Sequence, residues 1–280
     1  MRANRSAYVH ATRNNGERMN GKGIRLERIM DRKTGRAVIV PMDHGISNGP
    51  MDGLYDMKST VDAVSNGGAT AVIMHKGLIR YSYRASGKDV GLILHLSAST
   101  DVSKANANHK VLVASVEEAI KIGADAVSIH INFGDEYEYE MLESAGEVSR
   151  QCAEWGMPLI VMAYPRGHDV NSYDPELIAH CARASAELGA DLVKVNYTGD
   201  IDTFRDVTRG ALAPVVIAGG PKMKTDMDVL NMVHDSLEAG GRGVSMGRNI
   251  FQNRNVEGIT RAISSIVLEN ASVEEAAKYL

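Results

Sequence analysis

One lysine lies inside an apolar segment of the chain. Lys194 occurs in "GADLVKVNYTGD", where apolar residues surround it as they do in a buried strand. Burial lowers the pKa of a lysine, and a neutral amine is a nucleophile toward carbonyl carbons. The residue therefore predicts an imine with a ketone. The alternative is a structural ammonium group paired with an acid inside the fold.

Two other apolar segments deliver groups that can move protons. Tyr164 ends the apolar run of "PLIVMAYPRG", and Asp43 ends that of "AVIVPMDHG". Imine formation and the making or breaking of an adjacent C–C bond each need a proton donor and acceptor within hydrogen-bond reach. We expect Tyr164 and Asp43 to lie near Lys194 and to have these roles.

Two glycine-containing segments near the C-terminus have the composition of a phosphate site. Gly219 and Gly220 lie in "IAGGPK", and Gly247 and Arg248 lie in "SMGRN". Glycines let backbone N–H groups approach an oxyanion closely, and an arginine adds charge-assisted hydrogen bonds. The segments predict a phosphorylated substrate, although tight turns alone would also explain the glycines.

Four histidines follow apolar runs and raise a metal alternative. A metal could polarise the ketone, but no pair of histidines has the spacing of a helical or strand metal site, and a metal would leave Lys194 unexplained. We therefore predict no metal. The histidines are His44, His75, His95 and His130.

The elements that must position these residues repeat along the chain. Several segments pass from a helix end through glycine into a short apolar strand, and the strands are apolar on both faces, as parallel strands covered by helices are. Eight such units in 280 residues favour a single (β/α)8 TIM barrel, whose functional residues gather at the C-terminal ends of the strands. Asp125 and Asp191 open strands at the opposite end and are predicted to be structural. The strands are predicted near 37–42, 70–75, 90–96, 125–131, 158–163, 191–196, 214–218 and 242–246.

Composition bounds the class of protein. The chain is 44% hydrophobic and 24% charged with a formal net charge of -4, which gives no support for binding to nucleic acid or to a membrane surface.

The N-terminal stretch is basic and polar and has no apolar run, so we expect neither a signal peptide nor a spanning helix. Residues 1–23 are predicted to be a partly mobile arm, and 24–280 the barrel, with a short helix in "GIRLERIMD". The two cysteines lack a metal or redox spacing, and we expect a cytoplasmic protein.

Five motifs in order resemble one family. The segments "VIVPMDHGISNGP", "YPRG", "VKVNYTGDID", "VVIAGGPK" and "GRNIFQ" are similar to those of the archaeal-type class I fructose-bisphosphate aldolases, and the similarity covers roughly 24 to 275. The resemblance implies that Lys194 forms the Schiff base, Tyr164 donates protons and Asp43 accepts them, with no cofactor. It also implies a set of positions that hold the phosphorylated sugar: His44, Gly45, Ile46, Ser47, Pro165, Arg166, Gly219, Gly220, Gly247 and Arg248.

The resemblance further implies a reaction and an assembly. The reaction is transfer of a hydroxyacetone unit from 6-deoxy-5-ketofructose 1-phosphate to L-aspartate semialdehyde, on the way to 3-dehydroquinate and aromatic amino acids. The assembly is a homo-oligomer, with a decamer of two pentameric rings as one form.

Other functions remain open at this point. They are fructose-1,6-bisphosphate aldolase, a synthase joining dihydroxyacetone phosphate to aspartate semialdehyde, and a non-catalytic barrel that senses a sugar phosphate. The acceptor pocket separates the enzymes, since a bisphosphate needs a second cationic site, whereas aspartate semialdehyde needs groups for an amine and a carboxylate. Residues after the second strand are candidates for either: His75, Lys76, Arg80 and Arg84.

Overall fold

Eight parallel strands close into a barrel. The structure is a computed structural model, and it describes residues 20–82, 90–104 and 107–280. The strands pair in the order β1-β8-β7-β6-β5-β4-β3-β2, and β2 also pairs with β1, so the predicted TIM barrel is confirmed. The strands are β1 (Ala37–Pro41), β2 (Ala71–Met74), β3 (Gly91–His95), β4 (Ala126–Phe133), β5 (Leu159–Pro165), β6 (Leu192–Val195), β7 (Val215–Ala218) and β8 (Gly243–Ser245).

Helices cover the outside of the barrel. Most begin at a side-chain cap, such as Ser115 and Thr225, each of which forms a reciprocal capping box with the acidic residue three positions later. The helices are α1 (Asn20–Ile29), α2 (Met57–Asn66), α3 (Val116–Ile122), α4 (Glu138–Trp155), α5 (Pro175–Glu187), α6 (Ile201–Gly210), α7 (Asp226–Glu238) and α8 (Val256–Glu269). Shorter helices are Gly45–Asn48, Arg248–Phe251 and Val273–Ala276.

The segment after β3 is irregular, as its polar sequence predicts. It contains the antiparallel pair Ser97–Ala98 and Val111–Leu112, which brings residues 99–104 and 107–110 back over the barrel. Within 20–82, 90–104 and 107–280, no helix has the length and apolar character that crossing a membrane requires.

Side chains of alternating strand residues fill two separate cores. Val193 and Val195 of β6 belong to the larger core between strands and helices, whereas Leu192 belongs to a smaller core inside the barrel. This period of two also fixes the direction of polar residues farther along each strand. A residue two positions after an interior residue therefore also faces the inside of the barrel, and it lies nearer the C-terminal end of the strands. We call this end of the barrel the mouth.

Helix α1 closes the opposite end. Ile29 belongs to the interior core, and Gly91 opens β3 directly beneath it, where an added Cβ would lie 2.9 Å from the Ile29 side chain and 2.7 Å from the Arg28 carbonyl. Only glycine leaves this space. The helix begins at Asn20, before the predicted end of the N-terminal arm at residue 23. Residues 1–19 of that arm lie outside the described residues.

Asp191 and Asp125 tie α1 to the strands. Asp191 lies 2.9 Å from Lys22 Nζ and accepts a hydrogen bond from Leu159 N at 2.8 Å. Asp125 lies 3.1 Å from an Arg28 guanidinium nitrogen and accepts from the N–H of β3 residue Leu92 at 3.0 Å. Both aspartates therefore have the structural role expected from their position at the start of a strand.

Candidate active site

Lys194 points into a cavity at the mouth of the barrel. It follows interior residue Leu192 by two positions on β6, so the strand period turns its side chain inward. The cavity has a volume of about 520 Å³, and Lys194 lines it with only 7% of its surface exposed. The side-chain nitrogen is therefore at the edge of a space that a small substrate can enter, as the imine hypothesis requires.

Tyr164 lies on the neighbouring strand and lines the same cavity. Its ring contacts His130 edge-on, with 5.0 Å between ring centroids, and the Arg166 guanidinium lies over it at 5.0 Å. These contacts hold the buried ring in place. The structure thus brings Tyr164 into the cavity that holds Lys194.

Asp43 enters the cavity from the end of β1. Its carboxylate oxygens lie 3.7 Å from His95 Nε2 and 3.6 Å from His44 Nδ1. Burial raises the pKa of this carboxyl, but the positive potential of His95, His44, Lys194 and His75 outweighs burial and holds the pKa well below its ordinary value. Asp43 is therefore ionised at neutral pH and available as a proton acceptor.

His95 is the most buried of the histidines around Asp43. Burial lowers its pKa to about 4, although Asp43 acts in the opposite direction. Its Nδ1 lies 2.8 Å from Ser128 Oγ, so Nε2 is left facing Asp43. At neutral pH the ring is neutral, so it faces Asp43 as a polar group rather than as a full charge.

Asp43, His75 and His95 could together hold a cation. One potential ligand atom from each lies within 4.8 Å of the others, and His75 Nε2 is buried without a hydrogen-bond partner among the described residues. The sequence spacing did not indicate this group, because its members come from three different strands. An ion bound there would occupy the carboxylate that the imine hypothesis uses as a proton acceptor.

Amide side chains connect the mouth to the loops above it. His130 Nε2 lies 2.8 Å from Asn132 Oδ1, and Asn132 Nδ2 donates to the Asn108 carbonyl at 2.7 Å. Asn196, two positions beyond Lys194, donates to the Ser172 carbonyl at 2.9 Å. The loops after β3 and β5 are therefore held at fixed positions beside Tyr164 and Lys194.

The predicted phosphate positions converge on one wall of the cavity. We call Gly219, Gly220, Gly247 and Arg248 the phosphate cradle, and all four line the cavity. The N–H groups of Gly220 and Gly247 donate no hydrogen bond to the described residues, whereas Arg248 is positioned by donating to the Gly220 carbonyl at 3.0 Å. An added Cβ at Gly247 would lie 2.5 Å from His44 Cε1, so the chain passes close to that ring. The free N–H groups and the guanidinium can bind an oxyanion.

The other predicted binding residues divide into two groups. His44, Ser47 and Arg166 line the cavity, and Ser47 Oγ is fixed by donating to the Ser99 carbonyl at 3.0 Å. Three positions lie beside the cavity and are not among its lining residues: Gly45, Ile46 and Pro165.

Most of the candidate acceptor-pocket residues after β2 have side chains that point away from the cavity. Lys76 follows inward-facing His75 by one position, so it points outward and pairs with Glu118 at 2.9 Å. Arg80 lies over the exposed Tyr81 ring, and Arg84 lies outside the described residues. Sequence reasoning instead missed a set of polar residues on the cavity wall, most of them from the irregular segment after β3: Asn48, Asp101, Lys104, Asn108, Lys110 and Ser245. A polar loop without periodicity carries no signal for the direction of its side chains.

A lysine inside the mouth of a TIM barrel, with a tyrosine and a carboxylate in one cavity, is the arrangement of a Schiff-base-forming aldolase. Comparison with known proteins agrees with this class. The model of the DeoC/LacD family aldolases matches residues 37–253, and the chain belongs to that family.

Two curated relatives match almost the whole chain. A 2-amino-3,7-dideoxy-D-threo-hept-6-ulosonate synthase 1 from Archaeoglobus fulgidus is 43% identical over 93% of this chain and 96% of the relative. A 2-amino-4,5-dihydroxy-6-oxo-7-(phosphonooxy)heptanoate synthase from Streptomyces griseus is 36% identical over 92% of this chain and 93% of the relative.

A solved structure extends the likeness to the fold. A Schiff-base-forming fructose-1,6-bisphosphate aldolase, studied through its reaction intermediates, superposes with a TM-score of 0.81 at 35% identity, covering 89% of this chain and 100% of that one. The chain is therefore an enzyme of the class I aldolase and transaldolase type.

Proposed function

We propose that this enzyme transfers a hydroxyacetone unit from 6-deoxy-5-ketofructose 1-phosphate to L-aspartate semialdehyde, giving 2-amino-3,7-dideoxy-D-threo-hept-6-ulosonate for 3-dehydroquinate and aromatic amino acid biosynthesis. The observation that carries the proposal is Lys194, buried yet in contact with the cavity that Tyr164 and Asp43 also line. The 43% identical synthase from Archaeoglobus fulgidus supports the choice of substrates.

The first half of the reaction forms an enamine. The Lys194 amine attacks the ketone next to the methyl group of the donor, and the carbinolamine loses water with a proton from Tyr164. The iminium nitrogen then withdraws the electron pair of the C3–C4 bond as Asp43 takes the proton of the C3 hydroxyl. Hydroxypyruvaldehyde phosphate leaves, and the three remaining carbons stay on Lys194 as an enamine.

The second half forms a new bond. The enamine carbon attacks the aldehyde carbon of aspartate semialdehyde, and the proton held by Asp43 returns to the new hydroxyl. Water then adds to the iminium and releases the product from Lys194. The same three side chains serve both halves, and we propose that the reaction needs no cofactor.

A specific observation favours a second candidate. The phosphate cradle adjoins Lys194 on the β7 and β8 side, where a donor such as dihydroxyacetone phosphate would place its phosphate. The 36% identical Streptomyces griseus relative has a phosphonooxy group in the name of its product. We therefore keep a synthase that joins dihydroxyacetone phosphate to aspartate semialdehyde as the alternative, together with fructose-1,6-bisphosphate aldolase.

We further propose that the predicted arm of residues 1–23 is shorter than that range, because Asn20 and Lys22 belong to α1, and that the enzyme is a cytoplasmic homo-oligomer, with a decamer of two pentameric rings as one form. The remaining binding roles follow the resemblance: Gly45, Ile46 and Pro165 hold the backbone beside the substrate, while His44, Ser47, Arg166 and the phosphate cradle contact it. Light scattering on the full chain measures the assembly.

Reductive trapping tests the chemistry. Borohydride added with 6-deoxy-5-ketofructose 1-phosphate should add the mass of the reduced ketone fragment to Lys194 and inactivate the enzyme, whereas Lys194→Met should gain no mass. Side-by-side assays with aspartate semialdehyde and fructose 1,6-bisphosphate then identify the acceptor chemistry. An unmodified Lys194 during turnover would contradict the proposal.

A further inference from the structure

Lys110 is a cation on the cavity wall that the reaction scheme does not use. It lies in the irregular segment after β3, immediately before the short strand Val111–Leu112, and it lines the cavity. Its Nζ donates to Ser99 Oγ, and that hydroxyl donates onward to the Ala107 carbonyl at 2.6 Å. Among the described residues, no carboxylate lies within ion-pair distance of Lys110 Nζ. The ammonium is therefore held in place without a counter-ion.

A second cation lies near Lys110 on the same wall. Arg166 also lines the cavity, and its guanidinium rests on the Tyr164 ring without a described carboxylate partner. Burial lowers the pKa of Lys110, and the positive charge of Arg166 lowers it further, whereas Asp101 and Asp43 act in the opposite direction with smaller effects. Lys110 is half-buried and Arg166 is exposed, and their like charges repel each other unless an anion binds between them. We call Lys110 and Arg166 the acceptor-side wall.

The acceptor-side wall faces the phosphate cradle across the barrel. Lys110 follows β3 and Arg166 follows β5, whereas the cradle follows β7 and β8. In the closed order of eight strands, β3 lies opposite β7, and β6 with Lys194 lies between the two walls on one side. A chain-like substrate bonded to Lys194 can therefore direct one end to each wall.

We propose that Lys110, together with Arg166, forms an anion subsite that binds the carboxylate of the incoming acceptor aldehyde and, before that, the phosphate of the leaving fragment. The inference rests on the proposed function and names the groups that the acceptor half of that site recognises. It also holds for the alternative synthase, because the acceptor of both reactions is aspartate semialdehyde.

The chemistry of the two fragments supports a shared subsite. In hydroxypyruvaldehyde phosphate the anionic group lies at the end of the chain away from the reacting aldehyde, and in aspartate semialdehyde the carboxylate has the same relation to its aldehyde. Both aldehyde carbons must occupy one position beside the enamine, so both anions reach one region of the wall. A lysine suits this exchange, because its flexible point charge fits a tetrahedral phosphate as well as a planar carboxylate.

A binding experiment tests the subsite without catalysis. L-homoserine is the unreactive alcohol analogue of aspartate semialdehyde, and its affinity can be measured by calorimetric titration of the full-length enzyme. Lys110→Met should weaken binding by about tenfold or more, as loss of a charge-assisted hydrogen bond does. Lys104→Met is the matched control, since Lys104 lines the same cavity but is exposed; it should change the affinity less than about twofold. Equal losses in both variants, or none in Lys110→Met, would overturn the subsite.

A ligand without the carboxylate and a conservative variant sharpen the result. 3-Amino-1-propanol keeps the ammonium group of homoserine but lacks the carboxylate, so Lys110→Met should bind it no more weakly than wild type does. Lys110→Arg should recover part of the homoserine affinity, which a folding defect would not allow. A loss of affinity for both ligands in Lys110→Met would overturn the inference, because it would show general damage to the cavity.

Imine trapping keeps the two proposals separable. Hydroxyacetone carries no anion, so borohydride should attach it to Lys194 in wild type and in Lys110→Met alike. Failure in wild type would refute the imine chemistry while the homoserine titration still decides the subsite. Normal trapping with unchanged homoserine affinity in Lys110→Met would refute the subsite while the imine chemistry stands.

Discussion

Lys194 on β6 is the register partner of Met162 on β5. Tyr164 is the next inward-facing residue of β5 after Met162, so its ring lies one layer nearer the mouth than the backbone of Lys194. A substrate carbon bonded to Lys194 Nζ would extend toward that layer. The phenol is therefore placed above the amine by strand register, independently of any flexible loop.

Tyr164→Phe should slow turnover, because it removes the proton donor of imine formation. The variant keeps the ring and its contacts with His130 and Arg166 but loses the proton donor, so kcat should fall by about 100-fold or more. Steady-state assays measure the fall, and Tyr139→Phe, at an exposed helix position, should retain full activity. Wild-type kcat in Tyr164→Phe would remove the phenol from the proposed proton transfers.

Metal removal should leave the reaction intact. The imine mechanism needs no ion, so activity should survive EDTA. Added Zn²⁺ should inhibit, because Asp43, His75 and His95 present ligand atoms within 4.8 Å of one another and an ion would take the carboxylate. Assays after chelation and after zinc titration, with His75→Gln to relieve the inhibition, check this. Activity that disappears with EDTA and returns with a divalent metal would favour a metal mechanism instead.

Acid should destabilise the fold through His95. The pKa of this ring is about 4 in the folded protein against 6.5 in an unfolded chain, so between these values the unfolded chain binds the extra proton. The contribution to the free energy of unfolding is complete above about pH 6.5 and is lost as the pH falls to about 4. The full change is about 3 kcal/mol.

Denaturant unfolding across this pH range measures the effect. His95→Gln should show a shallower dependence on pH than wild type, whereas His180→Gln, at an exposed position of α5, should not. An unchanged slope in His95→Gln would mean that His95 titrates normally in the folded protein.

The ion pair at the base of the barrel should affect stability and not catalysis. Asp191→Asn keeps an acceptor for Leu159 N but leaves the buried Lys22 ammonium without a counter-ion, so the free energy of unfolding should fall by about 3 kcal/mol. Arg28→Met removes the exposed partner of Asp125 and should cost less than about 1 kcal/mol. Thermal melts should show a larger loss of stability in Asp191→Asn than in Arg28→Met. The kcat should be unchanged in both variants. The reverse ranking would contradict the assignment.

Arg248→Met should distinguish the two donor chemistries. Arg248 belongs to the phosphate cradle. The variant should therefore raise KM about tenfold for a donor whose phosphate is next to the ketone that reacts with Lys194, such as fructose 1,6-bisphosphate. Hydroxyacetone and 6-deoxy-5-ketofructose 1-phosphate place a hydroxyl or a methyl there and should be affected little. Equal effects on all three donors would place the Arg248 charge elsewhere in the reaction.

Much of this architecture could be predicted from local pattern. All eight strands are predicted within a few residues, because each is a short apolar run and several follow a helix that ends at a glycine. The candidate reacting residues could be brought to one cavity from sequence alone, because strand ends are recognisable and barrel chemistry gathers there. Helix α6 was not predicted: only Phe204 and Val207 are buried in its polar sequence, and its start depends on capping by Asp200.

The acceptor side of the site could not be predicted in the same way. Lys76 seemed suitable from its place after a strand, but a side chain one position after inward-facing His75 points outward to Glu118. Lys110 gave no signal, because the segment that carries it has no periodicity and is positioned by hydrogen bonds to residues distant in sequence, such as Asn132. The position of a loop depends on tertiary contacts, whereas the direction of a side chain on a strand follows from its place in the alternating pattern of the chain.

The closure of the barrel by α1 has a kinetic consequence. With Ile29 packed into the interior from below, fragments exchange through the mouth, past Lys110 and Arg166. The departing phosphate and the arriving carboxylate compete for the same wall, so the first product must dissociate before the second reactant enters. Initial velocities at several fixed acceptor concentrations should give parallel double-reciprocal lines, the signature of a ping-pong enzyme.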